Sequence, residues 1–187
     1  MSVLSDGRIA LRPIRQSDLK YLNRWKNTEE IYRFLGGGYL PVSIDVQSKW
    51  MDSLMDTTGV NKRFIIETKE DCAAVGMIGL YQIQWVHRTC ELGIFLGEPA
   101  AHGKGYASAA YRLLETYAAR YLNLRKIKAE VVESNREAVR MYQRLRFCQA
   151  GALKDERFID GAYHTVLIME KFLDVPASHD ETIGEQR

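Results

Sequence analysis

The sequence predicts one α/β domain of the α+β mixed-sheet kind, a mostly antiparallel sheet with helices on both faces. Three observations carry this. Apolar residues recur with period two in several short stretches and with period 3.6 in the stretches between them. Successive strand-like runs are separated by tight-turn signals, His87-Arg88-Thr89 and Asp160-Gly161, which make neighbours antiparallel. The chain has 187 residues, 46% hydrophobic and 27% charged, which is ordinary composition for a single domain that closes its own core. Residues 1–173 are assigned to the domain. Residues 174–187, polar, acidic and aperiodic, are expected to form a weakly packed tail.

Taken in order, Arg8 to Arg15 alternates apolar and basic residues and reads as an edge strand, with Pro13 near its end. Ser17 is the expected N-cap of a helix to about Asn27, with Leu19, Leu22 and Trp25 inward. A short helix from Glu29 to Leu35 stops at Gly36-Gly37-Gly38. Ser43 opens another, with Val46, Trp50 and Leu54 spaced by four. Three strands follow, Lys62 to Thr68, Ala73 to Val86 and Cys90 to Leu96. A Gly- and Ala-rich loop from Gly97 to Gly105 then leads into a helix reaching about Tyr121. Its inward stripe is Tyr106, Ala109, Ala110, Leu113, Leu114 and Tyr117. Lys126 to Glu133 is a strand. Ser134 and Glu137 have capping-box spacing, ahead of a helix with Ala138, Met141, Tyr142 and Leu145 inward. Two strands, Cys148 to Phe158 and Tyr163 to Lys171, close the domain.

Composition excludes several classes. The longest charge-free run, Cys72 to His87, is 16 residues and interrupted by glycines, short of the ~20 apolar residues of a membrane span. The net charge is +2, and the acidic tail leaves residues 1–173 mildly basic. That suits a phosphorylated small ligand and is too weak an excess for nucleic acid. The cysteines Cys72, Cys90 and Cys148 are far apart and odd in number, so reduced core thiols are expected rather than disulfides. The histidines His87, His102, His164 and His179 show no ligand spacing, and no metal is expected. The first residues carry no apolar segment followed by a cleavage site, which gives an expected cytoplasmic location.

The loop His102-Gly103-Lys104-Gly105-Tyr106-Ala107 is the most informative local feature. An NTPase phosphate loop needs GxxxxGK followed by Ser or Thr. Here five residues separate Gly97 from Gly103, and Gly105 follows Lys104. The dinucleotide fingerprint needs a third glycine, absent from Tyr106-Ala107-Ser108. Two readings remain: a simple helix cap, or the Q/R-x-x-G-x-G/A loop of acyl-CoA-binding acetyltransferases, matched at every position but the first. In the second, small residues let a pyrophosphate approach the unpaired N–H groups at the positive end of the helix, with no metal needed.

Downstream, Ser134-Asn135-Arg136-Glu137-Ala138-Val139-Arg140-Met141-Tyr142-Gln143-Arg144-Leu145-Arg146-Phe147 resembles the N-x-x-A-x-x-x-Y-x-x-x-G-F motif of the GNAT N-acetyltransferase superfamily, through Asn135, Ala138, Tyr142 and Phe147. Element order and spacing are similar to the superfamily from about Arg8 to Leu173. LRPIRQSDL, RWKN and FIDGAYHTVLIMEKF resemble its ribosomal-protein (RimL-like) branch, which includes amino-sugar acetyltransferases. Three positions depart: His102 stands for Gln or Arg, Arg146 for glycine, and Thr165 where Asp is common.

The resemblance implies direct transfer of acetyl from acetyl-CoA to a primary amine of a protein N-terminus, an amino sugar or another small amine, by a monomer or homodimer. An alkylammonium titrates near ~10.4, so a base must take its proton. The resemblance puts that base on the strand before the glycine loop. There Glu91 is the ionisable side chain between Glu91 and Leu96; the alternative is an exposed strand glutamate. Tyr142 falls where the family's thiolate acid lies; the alternative is a core aromatic. Asn135 falls at an acyl-CoA contact and is equally an ordinary helix-start residue. The backbone of Phe95 and Leu96 is implied to meet the pantetheine, and His102, Gly103, Lys104, Gly105, Tyr106 and Ala107 the pyrophosphate. The rival class is a GNAT-like module that senses acyl-CoA without turnover.

Overall fold

The computed structural model describes residues 3–173. Seven strands form one sheet in the order β1-β2-β3-β4-β5-β7-β6: β1 Ile9–Pro13, β2 Lys62–Thr68, β3 Ala74–Gln84, β4 Thr89–Leu96, β5 Lys126–Val132, β6 Cys148–Ile159 and β7 Ala162–Phe172. Neighbours are antiparallel except β4 and β5, which run parallel. A parallel pair needs a crossover, and α4, Tyr106–Arg120, supplies it. The other helices are α1 Leu19–Lys26, α2 Glu29–Tyr32, α3 Ile44–Met55 and α5 Arg136–Arg144. The acidic tail expected over 174–187 lies outside the described residues.

Strand alternation sorts the core onto two faces. On β2, Phe64 and Ile66 join the cluster under α4 and α5, with Tyr111, Leu114 and Tyr142. Ile65, between them, joins the cluster under α1 and α3, with Leu22, Trp25 and Met51. The mixed sheet covered on both faces matches the sequence expectation.

Several local expectations shift. Ser17 does not cap α1; it lies inside a 3₁₀ turn, Gln16–Asp18, because the buried Asp18 carboxylate takes the Arg15 N–H at 2.8 Å. Ser43 does cap α3, accepting from the Val46 N–H at 3.2 Å. The phase of α3 differs, however. Gln47 and Met51 are buried, while Val46 and Trp50 are partly exposed, at 36% and 45%, since Met51 is the residue that fills the space beside Trp25 and Ile65. Cys90 is a core thiol, whereas Cys72 and Cys148 are exposed. Burial pushes the Cys90 thiol up to about 12, so it stays protonated and inert. No helix among the described residues is long and apolar enough to cross a membrane.

Candidate active site

The site originates in a break in the sheet. β4 and β5 pair only over Thr89–Glu91 and Lys126–Lys128. Beyond that point β4 stays with β3 as far as Leu96, and β5 stays with β7 as far as Val132. The two strands part, and among the described residues Leu92–Leu96 keep one backbone edge without a strand partner. Between the arms lies a cleft of about 550 Å³, walled by Ile94, Phe95 and Leu96 on one side and Val131 and Val132 on the other. A free strand edge in a cleft can pair with an extended, amide-bearing chain. Phe95 and Leu96 lie on this edge and line the cleft.

The glycine loop closes one end of the cleft. After β4 the chain makes a 3₁₀ turn, Pro99–Ala101, and the His102 ring returns to the Leu96 carbonyl at 3.2 Å. His102 thereby clips the loop to the strand end, while its backbone N–H closes the 3₁₀ turn on the Pro99 carbonyl at 3.1 Å. Gly103 and Gly105 have φ of +73° and +77°, and a Cβ at either would meet nothing within 4 Å. Glycine is needed here for its backbone conformation, and the space in front of the α4 N-terminus is open. His102, Gly103, Gly105, Tyr106 and Ala107 line the cleft; Lys104 does not. The Lys104 carbonyl instead accepts from Arg8 Nη1 at 3.2 Å, tying the loop to the start of β1.

Gly97, just before the loop, is fixed by packing. A Cβ there would sit 2.3 Å from the Trp25 ring. The Trp25 indole N–H donates to Glu98 Oε1 at 2.8 Å, and Arg24 pairs with the same carboxylate. This is the physical content of the RWKN segment: it holds the loop's entry.

Asn135 caps α5, its Oδ1 accepting from the Ala138 N–H at 3.2 Å. The expected Ser134–Glu137 capping box is not formed. Ser134 Oγ is engaged by His164 Nδ1 at 3.0 Å, which moves the cap one residue on. Asn135, Ala138, Met141 and Tyr142 line the cleft.

The end of α5 determines where Tyr142 stands. The Arg146 N–H donates to the Gln143 carbonyl at 2.9 Å, and the Phe147 N–H to the Tyr142 carbonyl at 3.0 Å. This is a Schellman cap, with Arg146 at φ +65° in the position glycine usually takes. Arg146 therefore ends the helix as glycine would, at the cost of left-handed strain. The same cap brings Phe147 against Tyr142, ring centroids 5.1 Å apart, and Phe147 against Tyr111 at 5.3 Å. Tyr142 is 5% exposed, and among the described residues no protein group hydrogen-bonds its hydroxyl. Burial pushes the phenol well above its ordinary range. It stays protonated at the cleft wall, a donor with no competing partner.

Glu91 occupies the last paired position of β4, where the strands part, and is not on the cleft wall. Lys128 Nζ lies 3.6 Å from one carboxylate oxygen, and Gln82 Nε2 3.4 Å from the other. Its neighbours Cys90 and Leu92 point under α4, and Phe95 points toward Trp25, so Glu91 shares the α1–α3 face. Any proton path from the cleft to this carboxylate passes through water.

The sequence places the helices of residues 17–35 on the acceptor side but does not single out the residues that form the wall there. Glu30, Arg33 and Phe34 of the α2 segment line the cleft, as does Glu130 of β5. Tyr32 packs edge-on against Phe95 with centroids 5.5 Å apart, and burial holds its phenol protonated, pushed up to about 12. No spacing signal marks these residues, because they meet from distant parts of the chain. Among the described residues no group of His, Cys, Asp and Glu is gathered in the way a metal ion would need.

The model of the acetyltransferase (GNAT) domain family matches residues 8–148. The chain belongs to the GNAT acetyltransferase family. With that membership come its fold, acetyl-CoA-dependent N-acetyl transfer, and acetyl-CoA as co-substrate. Its relatives include the spermidine N(1)-acetyltransferase of Escherichia coli K12, 28% identical over 177 residues, or 95% of this chain and 92% of that one. A putative ribosomal N-acetyltransferase of Bacillus subtilis, YdaF, is 26% identical over 118 residues, covering 63% of this chain and 62% of the relative. Among solved structures, a spermidine N-acetyltransferase of Vibrio cholerae in complex with CoA and spermine matches with a TM-score of 0.81 at 27% identity, over 90% of this chain and 97% of that one.

Proposed function

We propose that this GNAT enzyme acetylates a primary amine of an aliphatic polyamine. The reading refines the sequence expectation, which favoured a protein N-terminus or small amine in the RimL-like branch. It is carried by one observation, the parting of β4 and β5. The parting opens a cleft with the glycine loop at one end and the carboxylate of Glu130 on the α2 side, while Glu91 lies off the cleft wall at the point where the strands part. The near full-length similarity to spermidine N-acetyltransferases supports the choice of acceptor.

In this reading the pyrophosphate rests on the backbone N–H groups from Gly103 to Ala107, with the α4 dipole behind them. The pantetheine lies along the Phe95–Leu96 edge, and the Asn135 amide meets it at the α5 start. The amine nitrogen attacks the thioester carbonyl carbon, and its proton passes through water to Glu91. Collapse of the tetrahedral intermediate re-forms the C=O bond and breaks the C–S bond. The leaving sulfur takes the Tyr142 hydroxyl proton, which solvent restores. A cytoplasmic location goes with this reading.

The test is an acceptor panel read by CoA thiol release, with spermidine, spermine, a UDP-amino sugar and an N-terminal peptide. The expected result is the highest kcat/KM on spermidine or spermine. A higher value on the peptide or the sugar overturns the acceptor assignment, and acetyl-CoA binding without turnover of any amine restores the sensing-module alternative.

A further inference from the structure

Of the cleft-lining carboxylates Glu30, Glu130 and Glu137, none of which the transfer chemistry uses, Glu130 is the one held by a guanidinium among the described residues. It alternates with Ala129 and Val131, which sit in the α4–α5 core, so it points to the same face as Glu91. It lies two residues past Lys128, the partner of Glu91, and so on the far arm of the parting strands. Its side chain is 48% exposed. Arg157 Nη2 of β6 donates to Glu130 Oε2 at 2.8 Å, and Arg157 Nη1 donates to the Phe34 carbonyl at 3.1 Å. One guanidinium thus fixes the carboxylate and ties it to the α2 segment roofing the cleft. Arg157 is 16% exposed, so the fork is held in place by its surroundings. Among the described residues the second oxygen, Oε1, has no bonding partner and remains open on a half-exposed group.

We propose that Glu130 is the subsite for a second, non-reacting ammonium of the acceptor, with Arg157 as the positioning residue that aims it. The inference rests on the polyamine reading and deepens it. A polyamine offers one nitrogen to the thioester and keeps the others charged at neutral pH. A charged nitrogen entering a cleft loses water, and a cleft-lining carboxylate with a free oxygen replaces that hydration. Arg157 prevents the carboxylate from folding back onto its own strand, and its single-oxygen contact leaves the other lone pairs available. Arg33, also on the wall, pairs with Asp160 at 3.4 Å and not with Glu130. Glu130 therefore sets which amines are preferred, while Glu91 and Tyr142 serve whichever amine is bound.

The experiment compares kcat/KM for spermidine with that for butylamine, a monoamine lacking the second charge, in the wild type and in Glu130→Gln. Glutamine keeps the volume and an oxygen for Arg157, so the tie to Phe34 survives; calorimetric acetyl-CoA affinity checks that the fold is kept. The preference for spermidine is expected to fall by about tenfold in Glu130→Gln, equal to about 1.4 kcal/mol, and to recover in part in Glu130→Asp. Raised salt should lower the wild-type preference and leave that of Glu130→Gln nearly flat. An unchanged preference in Glu130→Gln, with spermidine still turned over by the wild type, overturns this subsite alone. Failure of the wild type to acetylate spermidine overturns the polyamine reading and the subsite with it.

Discussion

The two faces of the cleft are built by different rules. On the α4–α5 face the parts are local in sequence. Gly103 and Gly105 precede the helix whose N-terminus they open, and Asn135 and Tyr142 lie two turns apart on one helix. On the α1–α3 face the parts are long-range. Arg157 reaches Phe34 across 123 residues, Arg33 reaches Asp160 across 127, and Arg24 reaches Glu98 across 74. A group that must hold one invariant cofactor can be encoded by a loop and a helix start. A wall that must fit a particular acceptor is assembled from side chains whose partners no local pattern predicts.

The largest expected effect breaks the long-range face at its base. Asp18 is buried and receives both Arg12 nitrogens, each at 2.8 Å, while Arg12 also pairs with Glu67. This joins the start of α1 to β1 and β2. Asp18→Asn leaves a guanidinium 13% exposed with half its counter-charge, and is expected to cost about 3–5 kcal/mol of stability in chemical unfolding. Burial pushes the Asp18 carboxyl up, but the hydrogen bonds from Arg12 and the Arg15 N–H outweigh it and hold the carboxyl below its ordinary 3.8. A carboxyl depressed on folding stabilises fully above its unfolded value, and loses that stabilisation as pH falls through its folded value. Wild-type stability should therefore drop below about pH 4, and this part of the slope should vanish in Asp18→Asn. An identical acid slope in both proteins would show that the pair does not set it.

Next in size are the two proposed proton carriers, one on each face. Tyr142→Phe removes one oxygen and almost no volume. It is expected to lower kcat by ~10²-fold, about 2.7 kcal/mol, with acetyl-CoA affinity nearly unchanged. Glu91→Gln is expected to lower kcat by about 10²-fold at pH 7, and by less at high pH, where the amine is already neutral. The pH profiles separate the faces: the Tyr142→Phe loss should persist as pH rises, while the Glu91→Gln loss should shrink. Equal turnover in Tyr142→Phe makes that residue a core aromatic, and a pH-independent Glu91→Gln loss removes the base role.

The element order, the mixed sheet, and the glycine loop ahead of α4 were legible in the sequence because period and turn chemistry are local. What was not legible has a physical reason in each case. The phase of α3 was set by Met51 filling a gap beside Trp25, which Trp50, larger and one position away, does not enter. The cap of α5 moved to Asn135 because Ser134 was taken by His164, thirty residues on. Glu130 carries no spacing signal at all, since its partner Arg157 reaches it from β6.

The smallest effect sharpens the comparison on the locally encoded face. Arg146 departs from the glycine of the motif, and the helix nevertheless closes with both bonds of a Schellman cap. An arginine at φ +65° carries strain that glycine does not. Arg146→Gly relieves that strain and loosens the unfolded chain, two effects of opposite sign, with strain the larger where the native conformation is left-handed. The expected outcome is a gain of about 0.5–1 kcal/mol in chemical unfolding. The Phe147 contact to Tyr142 depends on the cap geometry, which both residues satisfy, so kcat and the acetyl-CoA affinity should stay at wild-type values. If Arg146→Gly instead alters kcat, the arginine side chain acts on the cleft directly, and the local face has a long-range component of its own.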